Sequence, residues 1–212
     1  MAWPDRLIVV AGTGTSVGKT WWTCAVASEL RARGARVAAR KPVQSFDLDD
    51  PEDRRDAAVL AAATGEDPAD VCPPHRSYPL PMAPPMAADA LGRPRIKLAD
   101  LLDLSWPRYE IDIGFVETAG GLRSPIGHDG DGLSLIERLK PDLVVVVADA
   151  GLGTINLVRL TTDALGEHTV VVALNRYDDA NELHRRNRRW LDDLDGHDVV
   201  VDAHELAARL IR

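Results

Sequence analysis

The nine residues Gly12-Thr-Gly-Thr-Ser-Val-Gly-Lys19-Thr20 constrain this chain more than any others. They follow the apolar run Leu7-Ile8-Val9-Val10-Ala11 and open a segment, 19–33, in which Ala25, Val26, Ala27 and Leu30 are spaced as a helix face that Gly34 stops. A glycine-rich turn between a buried strand and a helix lets backbone N–H groups converge on a phosphate at the positive end of that helix. Lys19 would reach the β/γ oxygens, and Thr20 would offer a hydroxyl to Mg²⁺. The strict pattern G-x-x-x-x-G-K-[ST] asks for glycine at Thr13, whereas the glycines stand at 12, 14 and 18. Flanked as it is, the loop reads as a nucleoside triphosphate site.

Further apolar runs at 36–43, 113–117, 143–148, 170–175 and 199–201 read as strands. Between them, 53–64, 133–139, 155–165, 181–194 and 203–211 read as helices, the first ended by Gly65. Strands without polar alternation, separated by helices, are what a parallel sheet covered on both faces requires. The expected fold is therefore α/β, a doubly wound and mostly parallel sheet, in a single domain over 1–212. Residues 68–94 break the rhythm with eight prolines. A flexible linker would be Gly/Ser-rich, whereas this stretch carries Tyr78, Leu80, Met82 and Met86, so it reads as an ordered excursion over the surface.

Composition narrows the function. With 212 residues, 45% of them hydrophobic, the chain can build a core without disulfides or a structural metal. A net charge of -8 argues against a nucleic-acid or anionic-membrane partner, while leaving room for one local basic pocket. Cys24 and Cys72 form no CxxC pair, and the six histidines form no HxxxH or HExxH pair, so zinc chemistry is not expected. The apolar run near the start is too short for a signal peptide or a membrane span, which makes a cytoplasmic protein the expectation.

Four sites stand out. Glu117 closes the strand Ile-Gly-Phe-Val-Glu and precedes Thr118-Ala-Gly-Gly, which fits the second acid that a triphosphate-bound Mg²⁺ needs. Lys41 falls at the carboxyl end of the second strand, on the ligand-bearing edge of a parallel sheet, with Gln44 and Ser45 beyond it. Asp56 opens the next helix, where an acid complements the helix N-terminus. Asn175-Arg-Tyr-Asp178 resembles the guanine-reading N-[KR]-x-D motif of GTPases. Other features take plainer readings. The run 182–189 is a solvated helix face, Trp21 and Trp22 pack helix on sheet, and His128-Asp-Gly-Asp131 is a glycine-rich loop to which no metal is assigned.

With GTGTSVGKT, KPVQS, an acid opening the next helix, VETAGG and GLGTIN in this order, the chain resembles the dethiobiotin synthetase family from its first strand to about Asn175. The resemblance implies a P-loop NTPase-like three-layer sandwich and a homodimer with active sites at the subunit interface. It implies joining of CO2 to 7,8-diaminononanoate with ATP and Mg²⁺, giving dethiobiotin, ADP and phosphate. Lys41 would be the catalytic lysine and Lys19 would cradle the phosphates, while Thr20, Asp56 and Glu117 would hold Mg²⁺. Ser16, Val17, Gly18, Lys19, Thr20 and Trp21, with Glu117, Thr118, Ala119 and Gly120, would line the nucleotide, and Asn175 would contact the purine. Thr15 and Ser45 would touch the diamine or its carbamate. The backbone of Leu152 and Gly153, with the Asn156 amide, would reach the partner subunit's substrate carboxylate, and the stretch SYPLPMAPP would shape an apolar substrate tunnel.

The chain departs from the family pattern in three places. Thr118 replaces the usual glycine, Leu157 replaces a common histidine, and no base-packing proline turn is recognisable near 199–203. Rival readings stay open: a ParA-like or GTP-binding switch NTPase, or a paralogous cyclo-ligase acting on another diamine. The first would want an extra lysine within 13–17, and the GTP-binding reading rests on the N-R-Y-D stretch alone.

Overall fold

The structure, a computed structural model, describes residues 3–211. Its central sheet has six strands: β1 (Arg6–Gly12), β2 (Val37–Arg40), β3 (Ile113–Glu117), β4 (Leu143–Asp149), β5 (Val170–Asn175) and β6 (Asp198–Val200). They lie in the order β6-β5-β4-β1-β3-β2 with every neighbouring pair parallel. Helices α1 (Lys19–Ala32), α2 (Asp56–Thr64), α3 (Pro84–Ala90), α4 (Gly132–Leu139), α5 (Thr154–Leu165), α6 (Glu182–Arg189) and α7 (Ala203–Leu210) surround it. This is the doubly wound α/β architecture that the apolar runs imply. Among the described residues, no helix is long and apolar enough to cross a membrane.

Successive strand residues feed opposite layers, which is why the strands show no polar alternation. Ile8, Val10, Phe115, Val145 and Val147 pack against Trp22, Val26 and Leu30 of α1, Leu60 of α2 and Leu206 of α7. Leu7, Val9, Val116, Val144 and Val146 face the other way, onto Leu135 and Ile136 of α4, Ala87 and Ala88 of α3, and Tyr78. Each such aliphatic side chain contributes roughly 1.5–3 kcal/mol by leaving water. The 68–94 excursion is thus more than a surface path: Val71, Tyr78, Ala87 and Ala88 are buried in the core.

Three boundaries differ from the sequence reading. The strand expected over 36–43 stops at Arg40, because Pro42 has no N–H for the ladder. Beyond it, Gln44–Ser45 pairs with Ser77–Tyr78 in a separate two-stranded sheet. The helix expected over 53–64 is a 3-10 turn, Glu52–Arg54, and then α2, separated by an extended Arg55. That break sets Asp56 at the first position of α2, and the Gln44 side-chain oxygen accepts from the Ala57 N–H at 3.0 Å, capping the new start. The helix expected over 181–194 ends as α6 at Arg189 and continues as a π-turn, Trp190–Leu194.

Candidate active site

The carboxyl ends of the parallel strands gather the chemistry on one edge of the sheet, where the crevice of an open α/β fold lies. The phosphate loop follows β1, Lys41 follows β2 and Glu117 ends β3. Gly18 caps α1 at φ 101°, and a Cβ there would stand 2.1 Å from Asn175 Nδ2. Only glycine serves at this position. The same Asn175 amide donates to the Val17 carbonyl at 2.9 Å, so β5 props the loop from behind.

Two lysines and two acids form the core of the site. Lys41 Nζ lies 2.6 Å from Glu117 Oε1 and 2.7 Å from Asp56 Oδ2, and donates to the Thr118 carbonyl at 3.3 Å. The Thr20 hydroxyl lies 2.9 Å from Asp56 Oδ1 and 2.8 Å from Glu117 Oε1, and Thr23 donates to Glu117 Oε2 at 2.9 Å. Lys19 Nζ donates to the Gly14 carbonyl at 2.9 Å, arching over the loop it belongs to. Burial opposes the charge on Lys41, but Asp56 and Glu117 outweigh it and hold the ammonium above the ordinary lysine range. For Asp56 burial likewise loses to Lys41, leaving the carboxyl below the usual carboxylate range. Lys19 goes the other way: burial, helped by the Lys41 charge, lowers its pKa to about 8.

The Thr20 hydroxyl, within hydrogen-bond reach of both carboxylates, makes with them an all-oxygen donor set. Such a set fits a hard divalent cation such as Mg²⁺, and neither histidine nor cysteine joins it. Above it opens a cleft of about 530 Å³. Thr15, Ser16, Gly18, Lys19, Thr20, Trp21, Lys41, Ser45, Asp56, Ala119 and Gly120 line that cleft, with Phe46 and the 81–84 stretch as its less polar wall. A second cleft, of about 480 Å³, is bounded by Gly18, Trp21, Trp22, Asn175, Arg176 and Tyr177.

Residues 6–201 match a family model described as an AAA domain. The chain is 39% identical over 161 residues to the ATP-dependent dethiobiotin synthetase of Streptomyces avermitilis, covering 75% of this chain and 65% of that protein. It is 33% identical over 197 residues to the ATP-dependent dethiobiotin synthetase of Haloferax mediterranei, covering 91% of this chain and 81% of that protein. The chain belongs to the dethiobiotin synthetase family. Like the relatives so named, it is an ATP-dependent ligase, here built on a phosphate-loop fold. Among solved structures it is similar in fold to a plasmid partition protein from Borrelia burgdorferi, with a TM-score of 0.58 at 12% identity, covering 99% of this chain and 97% of that one.

Against the dethiobiotin synthetase pattern, some residues stand away from the first cleft. Thr118 does not put its side chain beside the loop: it is buried, with its hydroxyl 3.4 Å from the Val10 carbonyl, and offers Lys41 its own carbonyl instead. Val17 packs against the core under the loop. Leu152, Gly153 and Asn156 are exposed and line neither cleft, and Leu152 is 92% exposed at the tip before α5. Ser45 lines the first cleft and donates to the Met82 carbonyl at 2.7 Å. Trp22 belongs to the core as expected, whereas Trp21 does not pack inward; it is 58% exposed. His128, Asp129 and Asp131 hold loop backbone: Asp131 caps α4 and Asp129 accepts from the Leu98 N–H.

Two contributors were not singled out from sequence. Asn187, inside the charge run, is buried and donates to the carbonyls of Ala150 and Gly151, both at 2.9 Å, tying down the loop before α5. The only signal was a neutral amide among arginines. Arg176 sits at φ 56° and bridges Asp149 Oδ2 at 2.6 Å and the Ser16 carbonyl at 3.1 Å, joining that same loop to the phosphate loop. Nothing in N-R-Y-D announces such a bridge.

Proposed function

We propose that the protein catalyses the ATP-dependent carboxylation and ring closure of 7,8-diaminononanoate with CO2, giving dethiobiotin, ADP and phosphate. The observation that carries the reading is Lys41 Nζ, held 2.6 and 2.7 Å from Glu117 and Asp56 on the floor of the cleft that the phosphate loop opens into. One substrate amine attacks CO2 and loses a proton, forming a carbamate. A carbamate oxygen attacks the γ-phosphorus, and the bond to ADP breaks. The neighbouring amine then attacks the carbamoyl carbon and loses a proton, and phosphate departs with the electron pair of the broken C–O bond. Every carried species is anionic, so the protein's work is positioning and charge stabilisation.

In this reading Lys41 steadies the carbamate and the transferring phosphoryl group, and Lys19 with the loop N–H groups holds the β and γ oxygens. Thr20, Asp56 and Glu117 would hold Mg²⁺, whose charge neutralises the triphosphate. Thr15 and Ser45 orient the diamine, and Asn175 borders the base. A cytoplasmic homodimer follows from the same reading, with Leu152, Gly153 and Asn156 reaching the diamine carboxylate of the second copy. Their exposure supports that role.

The test is phosphate release by the purified protein with ATP, Mg²⁺, bicarbonate and a panel of vicinal diamines. Release that requires both bicarbonate and diamine, with the 7,8-diaminononanoate product retaining bicarbonate carbon, is the expected result. Release independent of both would replace this reading with a switch NTPase. A strong preference for another diamine would make the protein a paralogous cyclo-ligase.

A further inference from the structure

Trp21 and Trp22 follow the phosphate loop side by side and have opposite fates. Trp22 is buried, on the stripe that continues through Val26 and Leu30. Trp21 projects into solvent, edge-on to Trp22, with ring centroids 5.7 Å apart and planes at 84°. Among the described residues, Gly18 and Trp21 are the two that line both clefts. The second cleft adjoins the loop at Gly18, so a triphosphate held by the loop would bring its base there, beside this indole.

Each side chain that could read a base's edge there already has a partner within the protein. The Asn175 amide N–H group donates to the Val17 carbonyl at 2.9 Å. The Arg176 guanidinium is shared between Asp149 and the Ser16 carbonyl. Tyr177 packs with His184 and lies under the Arg188 guanidinium. Asp178, which stands where N-[KR]-x-D would place a guanine-reading carboxylate, accepts from the Ala180 N–H at 2.8 Å and does not line the cleft. The Trp21 indole, by contrast, stands open to solvent, and every base has a π-face to offer it.

We propose that Trp21 is the residue that grips the nucleotide base, by stacking, and that base selection in this enzyme is consequently loose. The proposal rests on the reading above that the loop binds a nucleoside triphosphate. Trp21 is exposed and spends little packing, so its removal should leave the fold intact.

The experiment titrates ATP, GTP, CTP, UTP and inorganic tripolyphosphate, each with Mg²⁺, into the wild type, Trp21→Phe and Trp21→Ala. Affinity is read by calorimetry and the indole by fluorescence, with circular dichroism confirming each fold. In the wild type all four nucleotides should bind within about tenfold of one another and quench fluorescence, while tripolyphosphate should bind without quenching. Trp21→Ala should abolish the quench and weaken all four nucleotides on the order of tenfold, as loss of one stacking partner does. It should leave tripolyphosphate unchanged, and Trp21→Phe should restore most of the affinity. Unchanged nucleotide affinity in Trp21→Ala overturns the proposal, and so does that result with a shift in oligomeric state, which would place the indole at a subunit contact. A preference of a hundredfold or more for one base overturns the loose selection. If neither tripolyphosphate nor any nucleotide binds, the nucleotide-site reading fails first and takes this proposal with it.

Discussion

Lys41 and Glu117 lie 76 residues apart in the chain, yet their side chains meet at 2.6 Å with only 3% and 1% of their surfaces exposed. An isolated charge at that depth is costly, so each depends on the other. The pair also shares its surroundings with Asp56 and Thr20, which makes it a structural as well as a chemical centre.

Lys41→Ala should therefore act twice. Turnover should fall on the order of 10²–10³, as it does when one preorganised charge-stabilising group is lost. Stability should fall as well, because Asp56 and Glu117 are left facing each other without a cation, and Mg²⁺ should raise the melting temperature of the variant more than that of the wild type. Phosphate-release kinetics and thermal melts with and without Mg²⁺ check both halves. Full turnover in the variant would remove Lys41 from the mechanism.

Arg40, the residue before that lysine, forms a second buried pair, 2.7 Å from Glu66, with its guanidinium also over the Trp106 ring at 4.8 Å. Glu66 further accepts from the Ala39 N–H at 2.8 Å. Glu66→Ala should destabilise by about 3–5 kcal/mol, the range for stranding one member of a buried pair. Urea denaturation would show this as a lower midpoint at an unchanged slope.

The thiols should be inert in the folded protein. Burial pushes Cys24 and Cys72 each up to about 12, so the reactive thiolate is scarce at neutral pH. A thiol reagent at pH 8 should label the native protein slowly and the unfolded protein at both cysteines. The sign for stability follows: between the unfolded value of 9.0 and about 12 the folded state keeps protons that the unfolded state has lost. The thiol contribution is therefore present in full below pH 9 and declines as pH rises above it. Comparison with a Cys24→Ala, Cys72→Ala variant over pH 8 to 10 isolates that slope.

Asn187→Ala should loosen the loop that precedes α5 by leaving the Ala150 carbonyl unpartnered and the Gly151 carbonyl with only the Thr154 N–H, at 3.4 Å, for a stability cost of about 1–3 kcal/mol. If that loop reaches the diamine of the second copy, KM for the diamine should rise by more than KM for ATP. Equal changes in both would mean that Asn187 serves stability alone.

The strands, the phosphate loop and the order of elements were legible in the chain because they depend on neighbours in sequence. Unbroken β-branched runs demand burial on two faces, and Gly34 and Gly65 end helices at φ 89° and 77°, whereas the stop that Pro42 puts on the second strand was passed over. Glu117, Lys41 and Asp56 could be placed on the sheet edge by the same logic, since strand ends and helix starts in this architecture converge there. Even the split between Trp21 and Trp22 had a trace, for Trp22, Val26 and Leu30 recur every four residues. The closure of Arg40 on Glu66, the hold of Asn187 on the loop before α5, the Arg176 bridge and the Gln44 cap on α2 had no such trace. Each joins groups from separate elements, and a hydrogen bond or ion pair depends on distances of a few tenths of an ångström that composition and periodicity do not carry. Local preference determined which segments form; packing of those segments in three dimensions decided which polar groups meet.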